Sequence, residues 1–218
     1  MKSFNYHSAK DSKEASKLSS SNSAYLAGGM TTIPSMKLGL ASYKDIIDIK
    51  NIKKLSGIKV SGKSVTIGAT TKHVEVANSK DVKKAIPSLA ALAEGIGDPQ
   101  VRNRGTIGGS IANNDPSADY PSACIALDAT IHTNDRKIEA SKFFKGMFET
   151  ALKKGELIEA IEFKVPEKSS YQKHPNPASR YAVVGVYIAK HKGGVRVAVT
   201  GAKPCVYNDN DLSKALDS

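Results

Sequence analysis

Two short stretches constrain this chain more than any bulk property: AYLAGGMTTIPSMKL at residues 24–38 and RNRGTIGGSIANND at residues 102–115. Each carries a Gly-Gly pair beside hydroxyl-bearing residues. Glycine reaches positive φ and lets a foreign group approach the backbone, and successive N–H groups in such a turn form a concave anion site. A single loop of this kind is an ordinary tight turn. Two loops of common form (a strand, then Gly-Gly, then a hydroxyl) read as halves of a clamp around a diphosphate. In the first, Gly28, Gly29, Met30 and Thr31 offer N–H groups, and Thr31 and Thr32 add hydroxyls. In the second, Thr106, Ile107, Gly108, Gly109 and Ser110 are expected to do the same. Neither has the G-x-G-x-x-G spacing of a Rossmann turn or the Gly-Lys-Ser/Thr of a P-loop. Chemistry alone leaves tight turns and a clamp both open.

The surrounding pattern alternates between helix and strand. Asp11 and Glu14 have capping-box spacing for a helix over 11–20. Apolar runs at 24–27 and 46–49 predict short strands, and IKVSGKSVTIGA predicts a hairpin turning at SGK. Residues 71–97 carry a helical period broken at Pro87, with Leu89, Leu92, Ala93 and Ile96 on one face. DYPSACIAL predicts a helix opening at Asp119, which can cap it or serve a ligand. From Thr130 onward the pattern turns β, with hairpins near 130–140 and at YAVVGVYIAKHKGGVRVAVTGA, whose residues 183–188 are apolar on both faces and read as a central strand. PEKSSYQKHPNPAS, 166–179, is the softest linker candidate. DNDLSKALDS opens a capped amphipathic helix of about two turns, so a C-terminal continuation is expected.

Composition excludes more than it identifies. With 218 residues and 40% apolar side chains the chain has enough material for a real core. No apolar run is long enough to span a membrane, and the N-terminus lacks a secretory apolar region. Cys124 and Cys205 have no metal-ligand spacing and suggest a reducing compartment. The net charge of +11 comes from scattered lysines without interleaved aromatics, so nucleic acid is not expected. The five histidines are dispersed and form no metal site. No Ser-His-Asp arrangement or carboxylate pair stands out, so no catalytic residue is assigned.

The two loops together, AGGMTTIPSMKL and TIGGSIANNDPSADYP, resemble the flavin-binding medium subunits of molybdenum hydroxylases, the family of aerobic carbon monoxide dehydrogenase and xanthine dehydrogenase. The likeness extends to MKSFNYH, IGDPQVRNRGTIGGS, ASRYAVVGV and VRVAVTGAKPCVY, and so covers nearly the whole chain. It implies a mixed α/β (α+β) fold, the two-subdomain FAD-binding fold of the PCMH type. The expected lobes are 1–55 and 56–170, followed by the start of a truncated C-terminal β-rich domain at 175–218. It also implies an oxidoreductase subunit, active only in a complex, in which FAD carries electrons from an iron–sulfur subunit to an external acceptor (quinone, cytochrome or NAD). A large molybdenum-binding subunit and a small subunit with 2Fe-2S clusters would be the partners. The expected location is the cytoplasm or, through the complex, the inner face of the membrane. The rivals are a stand-alone FAD-dependent oxidase or reductase and a non-redox basic nucleotide-binding module.

Residue by residue, the resemblance places Ala27, Gly28, Gly29, Met30 and Thr31 on one side of the diphosphate, with Thr32 and Ile33 toward the flavin ring. Thr106, Ile107, Gly108, Gly109 and Ser110 would hold the other side. Asp119 matches an acidic residue on the adenosine part, Lys173 a lysine approaching the flavin, and Tyr181 an aromatic beside the isoalloxazine. The chain departs from the family at Met30, where His or Gln is usual, and at Gly39, where Arg is usual.

Overall fold

The computed structural model describes residues 1–217. The chain opens with a small βαβαβ unit: β1 (Asn5–Ser8), α1 (Ser12–Leu18), β2 (Ser23–Leu26), α2 (Thr32–Lys37) and β3 (Asp45–Asp48). Helix α1 starts where its sequence predicts. The Asp11 carboxylate accepts from the Glu14 N–H at 2.8 Å, and Glu14 returns the bond to the Lys10 N–H at 2.7 Å. The three strands form a parallel sheet in the order β1-β3-β2. A parallel sheet is covered on both faces, and Ile46 and Ile47, neighbours on opposite faces of the central strand, are both buried. Ala9, Ala15, Ile47, Ile49, Ile52 and Leu55 make this lobe's core, and Leu157 from the second lobe completes it.

The second lobe begins with the predicted hairpin, β4 (Ile58–Ser61) and β5 (Ser64–Gly68), turning at Gly62 with φ 57°. Three helices follow: α3 (His73–Asn78), α4 (Lys80–Ala85) and α5 (Pro87–Glu94). The expected break at Pro87 is a helix start, since proline is tolerated at N1. A further break falls at Ser79, whose hydroxyl caps α4 by accepting from the Val82 N–H at 3.2 Å. Next come α6 (Pro99–Arg104), α7 (Ile107–Asn113) and α8 (Tyr120–Ala126). All of α8 is buried, as expected of a helix apolar on every side. Strands β6 (Thr130–Thr133) and β7 (Lys137–Glu139), helix α9 (Ala140–Phe143), the small hairpin β8 (Phe144–Gly146) and β9 (Glu149–Thr150), and β10 (Ile158–Lys164) close the lobe. The main sheet is antiparallel in the order β4-β5-β10-β6-β7. Its inward residues Val65, Ile67, Ile131, Ile161 and Phe163 are fully buried, each contributing roughly 1.5–3 kcal/mol on transfer from water.

The stretch 166–179 is not a linker. Residues Lys168–Pro175 form strand β11, paired along its length with β12 (Ala182–His191), which pairs in turn with β13 (Gly194–Thr200). Strand β12 is central, as its apolar faces predict, and β14 (Tyr207–Asn208) and α10 (Asn210–Asp217) follow. The polar sequence of β11 hid an alternation: Ser169, Tyr171 and Lys173 turn inward, and each finds a polar partner. The expected boundary at 170–175 therefore falls within a strand. This sheet packs on α5 and α8, and Tyr187, Ala189 and Ala198 belong to the same core as the second lobe.

Candidate functional site

The first glycine loop leaves the carboxyl end of β2, the place where α/β sheets put ligands. The Leu26 carbonyl still accepts the Ile49 N–H at 3.0 Å, and beyond it the chain turns out of the sheet. Gly29 has φ 74°. Gly28 has no room for a side chain: a Cβ there would lie 2.2 Å from the Arg104 carbonyl oxygen and 2.9 Å from Gly105 Cα. The two loops therefore touch backbone to backbone. Among the described residues, the amides of Gly28, Gly29, Met30, Thr31 and Thr32 donate to no protein group. They form a run of unspent donors, the concave arrangement that suits an anion.

The second loop is built differently, and two expectations about it fail. Its Gly-Gly pair does not follow a strand; it lies in the first turn of α7. Nor are most of its amides free: among the described residues, only that of Thr106 in this loop donates to no protein group. Ile107 donates to the Thr71 carbonyl at 3.1 Å, Gly108 to the Ala69 carbonyl at 2.9 Å, Gly109 to the Thr106 hydroxyl at 3.2 Å and Ser110 to the Thr106 carbonyl at 3.0 Å. Those bonds seat α7 on the segment that leaves β5 and cap its N-terminus. What remains for a ligand, apart from the amide of buried Thr106, is the bare backbone at exposed Gly109 and the Ser110 side chain. One loop supplies donors, and the other supplies a surface that can be approached closely.

A cleft of about 490 Å³ runs past both loops and is lined by Ala27, Gly28, Gly29, Met30, Thr31 and Thr32 and by Thr106, Gly108, Gly109 and Ser110. Ile33 does not line it; its Cδ1 lies 2.7 Å from where a Gly29 Cβ would stand, so it packs beneath the loop. Ile107 is fully buried behind α7. Asp119 and Tyr181 do line the cleft, and Lys173 does not. The walls hold two further sets of side chains. One, around the turn that carries Tyr181, includes Ile96, Val101 and Arg180. The other includes Tyr25, Ile49, Leu152, Leu157 and Ile158, mostly deeply buried.

Of the ionisable cleft residues that the sequence does not single out, two are buried. His73 is 4% exposed, stacks at 5.4 Å on buried Tyr120, and its Nδ1 has no partner among the described residues. Burial first, and Arg102 second, lower its pKa to about 4, so it is neutral at pH 7. Glu156 is held by Arg136 at 2.9 and 3.0 Å, by the Thr133 hydroxyl at 2.7 Å and by the Lys153 N–H at 2.8 Å. Its burial works against ionisation, but these bonds outweigh it and bring the pKa to about 2. Neither residue belongs to a motif; only the fold brings them to the cleft.

Asp119 stands at the N-cap position of α8 without capping it, for its carboxylate faces the other way. It accepts from the Tyr171 hydroxyl and pairs with the Lys173 ammonium at 3.1 Å. Burial raises its pKa, opposed by Lys173 and Tyr171. The expected adenosine contact and the expected flavin contact are thus bound to each other.

The fold and cleft define a mixed α/β protein of the kind that holds a flavin nucleotide between two lobes. The residues fit that ligand: adjacent free amides and a glycine surface for a diphosphate, and two sets of apolar and aromatic walls for two ring systems. Residues 2–167 match the family model described as FAD binding domain in molybdopterin dehydrogenase. The chain belongs to this family. It is 40% identical to the glyceraldehyde dehydrogenase medium chain of Sulfolobus acidocaldarius, over 87% of this chain and 71% of the relative. To the carbon monoxide dehydrogenase medium chain of Hydrogenophaga pseudoflava it is 36% identical, over 92% and 75% respectively. The solved structure of reconstituted CO dehydrogenase from Oligotropha carboxidovorans superimposes with a TM-score of 0.93 at 30% identity, covering 100% of this chain and 81% of that one. Among the described residues no helix is long and apolar enough to cross a membrane.

Proposed function

We propose that this chain is the electron-transfer subunit of a molybdenum hydroxylase, holding FAD between its lobes and passing electrons from an iron–sulfur partner to an external acceptor. The observation that carries this reading is the run of unspent amides at Gly28–Thr32, residues that line the cleft together with the bare backbone of Gly109. When bound, FAD supplies the redox chemistry, accepting electrons and releasing them. The protein's part is to bind and orient. The first-loop amides donate to the diphosphate, Thr32 and Ser110 add hydroxyls, and Gly109 lets the phosphates come close. Tyr181, 45% exposed, lies on the side where the isoalloxazine must remain reachable by electron donors and acceptors. The adenine takes the buried walls of Tyr25, Ile49, Leu152, Leu157 and Ile158. Relatives of this chain carry the names medium chain and medium subunit, which supports a large molybdenum subunit and a small iron–sulfur subunit as its partners.

The test is anaerobic. The purified chain should show flavin bands near about 370 and 450 nm and be bleached by dithionite. Carbon monoxide, aldehydes, purines and N-heterocycles should leave the lone chain oxidised. Addition of its molybdenum and iron–sulfur partners with their substrate should then bleach the flavin. Reduction of the lone chain by any such substrate would overturn the electron-transfer reading in favour of a stand-alone oxidase.

A further inference from the structure

Lys173, an expected flavin contact, does not line the cleft, and its surroundings show what it does instead. Its side chain is 10% exposed. The ammonium donates to the Gly95 carbonyl at 2.8 Å and to the Arg180 carbonyl at 3.1 Å, and it pairs with the Asp119 carboxylate at 3.1 Å. A lysine ammonium has three protons. All three are taken by acceptors from three separate elements: the C-terminus of α5, the turn before β12 and the residue that opens α8. None is left for a ligand.

The turn it grips spans residues 176–181 and carries Tyr181 to the cleft. The Asn176 N–H donates to the Tyr181 carbonyl at 2.8 Å, and the Arg180 N–H donates to the Asn176 carbonyl at 2.8 Å. The Asn176 side-chain oxygen accepts from the Ala178 and Ser179 amides at 2.9 and 3.1 Å. These bonds shape the turn from within, and Arg180 still sits at φ 61°, a left-handed conformation uncommon for a residue with a Cβ. The carbonyl of that strained residue is the one Lys173 holds. Asp119 in turn is fixed by the Tyr171 hydroxyl, two positions back on the same face of β11.

We propose that Lys173 is a positioning residue: its ammonium ties Gly95, Asp119 and Arg180 together and so holds the 176–181 turn in the conformation that sets Tyr181 against the cleft. The tether itself is a property of the protein without cofactor. Its consequence for flavin rests on the function proposed above.

The test uses hydrogen exchange of the full-length apoprotein. In Lys173→Met the amides of residues 178–182 should exchange about tenfold faster or more, the loss expected when a charged hydrogen bond is removed. Arg180→Gly on that background should restore much of the protection, because glycine holds positive φ without help. General damage from a lost buried pair would not be repaired at that one position. FAD affinity should fall and recover in parallel. Unchanged exchange in Lys173→Met, or no recovery in the double variant, overturns the tether. If Lys173→Met does not fold, the native protein decides. The Lys173 Nζ resonance should be visible in the apoprotein and keep its position when FAD is added. A shift caused by FAD would make Lys173 a ligand contact and end the proposal. Failure of the unaltered chain to bind FAD would instead refute the proposed function and leave the exchange result standing.

Discussion

The backbone contact between the two glycine loops can be broken with one methyl group. Gly28→Ala places a Cβ 2.2 Å from the Arg104 carbonyl oxygen, 2.9 Å from the Arg104 carbonyl carbon and 2.9 Å from Gly105 Cα. The three nearest atoms are all backbone, so no side chain can swing aside to relieve them. To reach an ordinary contact the loops must part by about 1 Å. Forcing a methyl into such packing costs about 1–3 kcal/mol, which for a chain of this size lowers the thermal midpoint by about 2–4 °C per kcal/mol. The same displacement moves the free amides of residues 28–32 away from Gly109 and Ser110. Losing even one hydrogen bond to a charged diphosphate is worth roughly 1.5–3 kcal/mol, so FAD affinity should fall tenfold or more, on the order of 1.4 kcal/mol per decade. Calorimetry of the apoprotein and FAD titration by flavin fluorescence read the two effects separately. Gly193→Ala is the control: no atom lies within 4 Å of its Cβ, and its φ is not positive. It should match the unaltered protein in both assays. If Gly28→Ala also matches in both, the loops do not bear on each other as described and the reasoning fails.

At Gly109 an added Cβ meets only the Thr106 hydroxyl, at 2.9 Å. Gly109→Val should therefore fold with a loss of about 1 kcal/mol, that of a weakened helix cap, yet purify without flavin; full flavin content would show that the diphosphate does not pass there. Two buried cleft residues contribute to the acid limb of stability in successive windows. The unfolded chain protonates His73 near pH 6.5 and the folded chain only near 4. Stability should thus decline by about 3 kcal/mol as pH falls through that window, and His73→Gln should flatten the decline in urea titrations. Glu156 follows below it: its folded pKa of about 2 lies under the ordinary 4.5, so its contribution is complete above pH 4.5 and lost on descent to 2. Glu156→Gln should remove about 3 kcal/mol at pH 7 and make the curve shallower in that lower window, where Asp45, Asp48 and Asp128, also held below the usual carboxylate range, still titrate; an unchanged slope would refute the assignment.

Much of the architecture was legible because its causes are local. Asp11 and Glu14 define a helix start with their own side chains. Alternation at Val65 and Ile67, and the turn at Gly193 and Gly194, specify hairpins within a dozen residues. The Gly-Gly loops advertised themselves because glycine is the residue that such turns and close approaches demand. Strand β11 was not legible: its inward residues are Ser169, Tyr171 and Lys173, and they are inward only because Ser88, Asp119 and Gly95 wait across the fold to receive them.

The amino-acid sequence by itself determined that there would be two glycine loops, where most strands and helices would run, and which family's cleft they resemble. Tertiary structure decided which loop keeps its amides. Both loops are rich in glycine and hydroxyls, but α7 comes to rest on the segment that leaves β5, so Ala69 and Thr71 consume the N–H groups of Ile107 and Gly108 while those of residues 28–32 stay free. It also decided that Lys173 and Asp119, distant in sequence, would pair with each other, and that His73 and Glu156 would enter the cleft. The physical reason is the same in each case. A turn or a cap is satisfied by its neighbours in the chain, whereas a buried donor or charge is satisfied by whatever the fold brings within about 3 Å of it, and residue type does not name that partner.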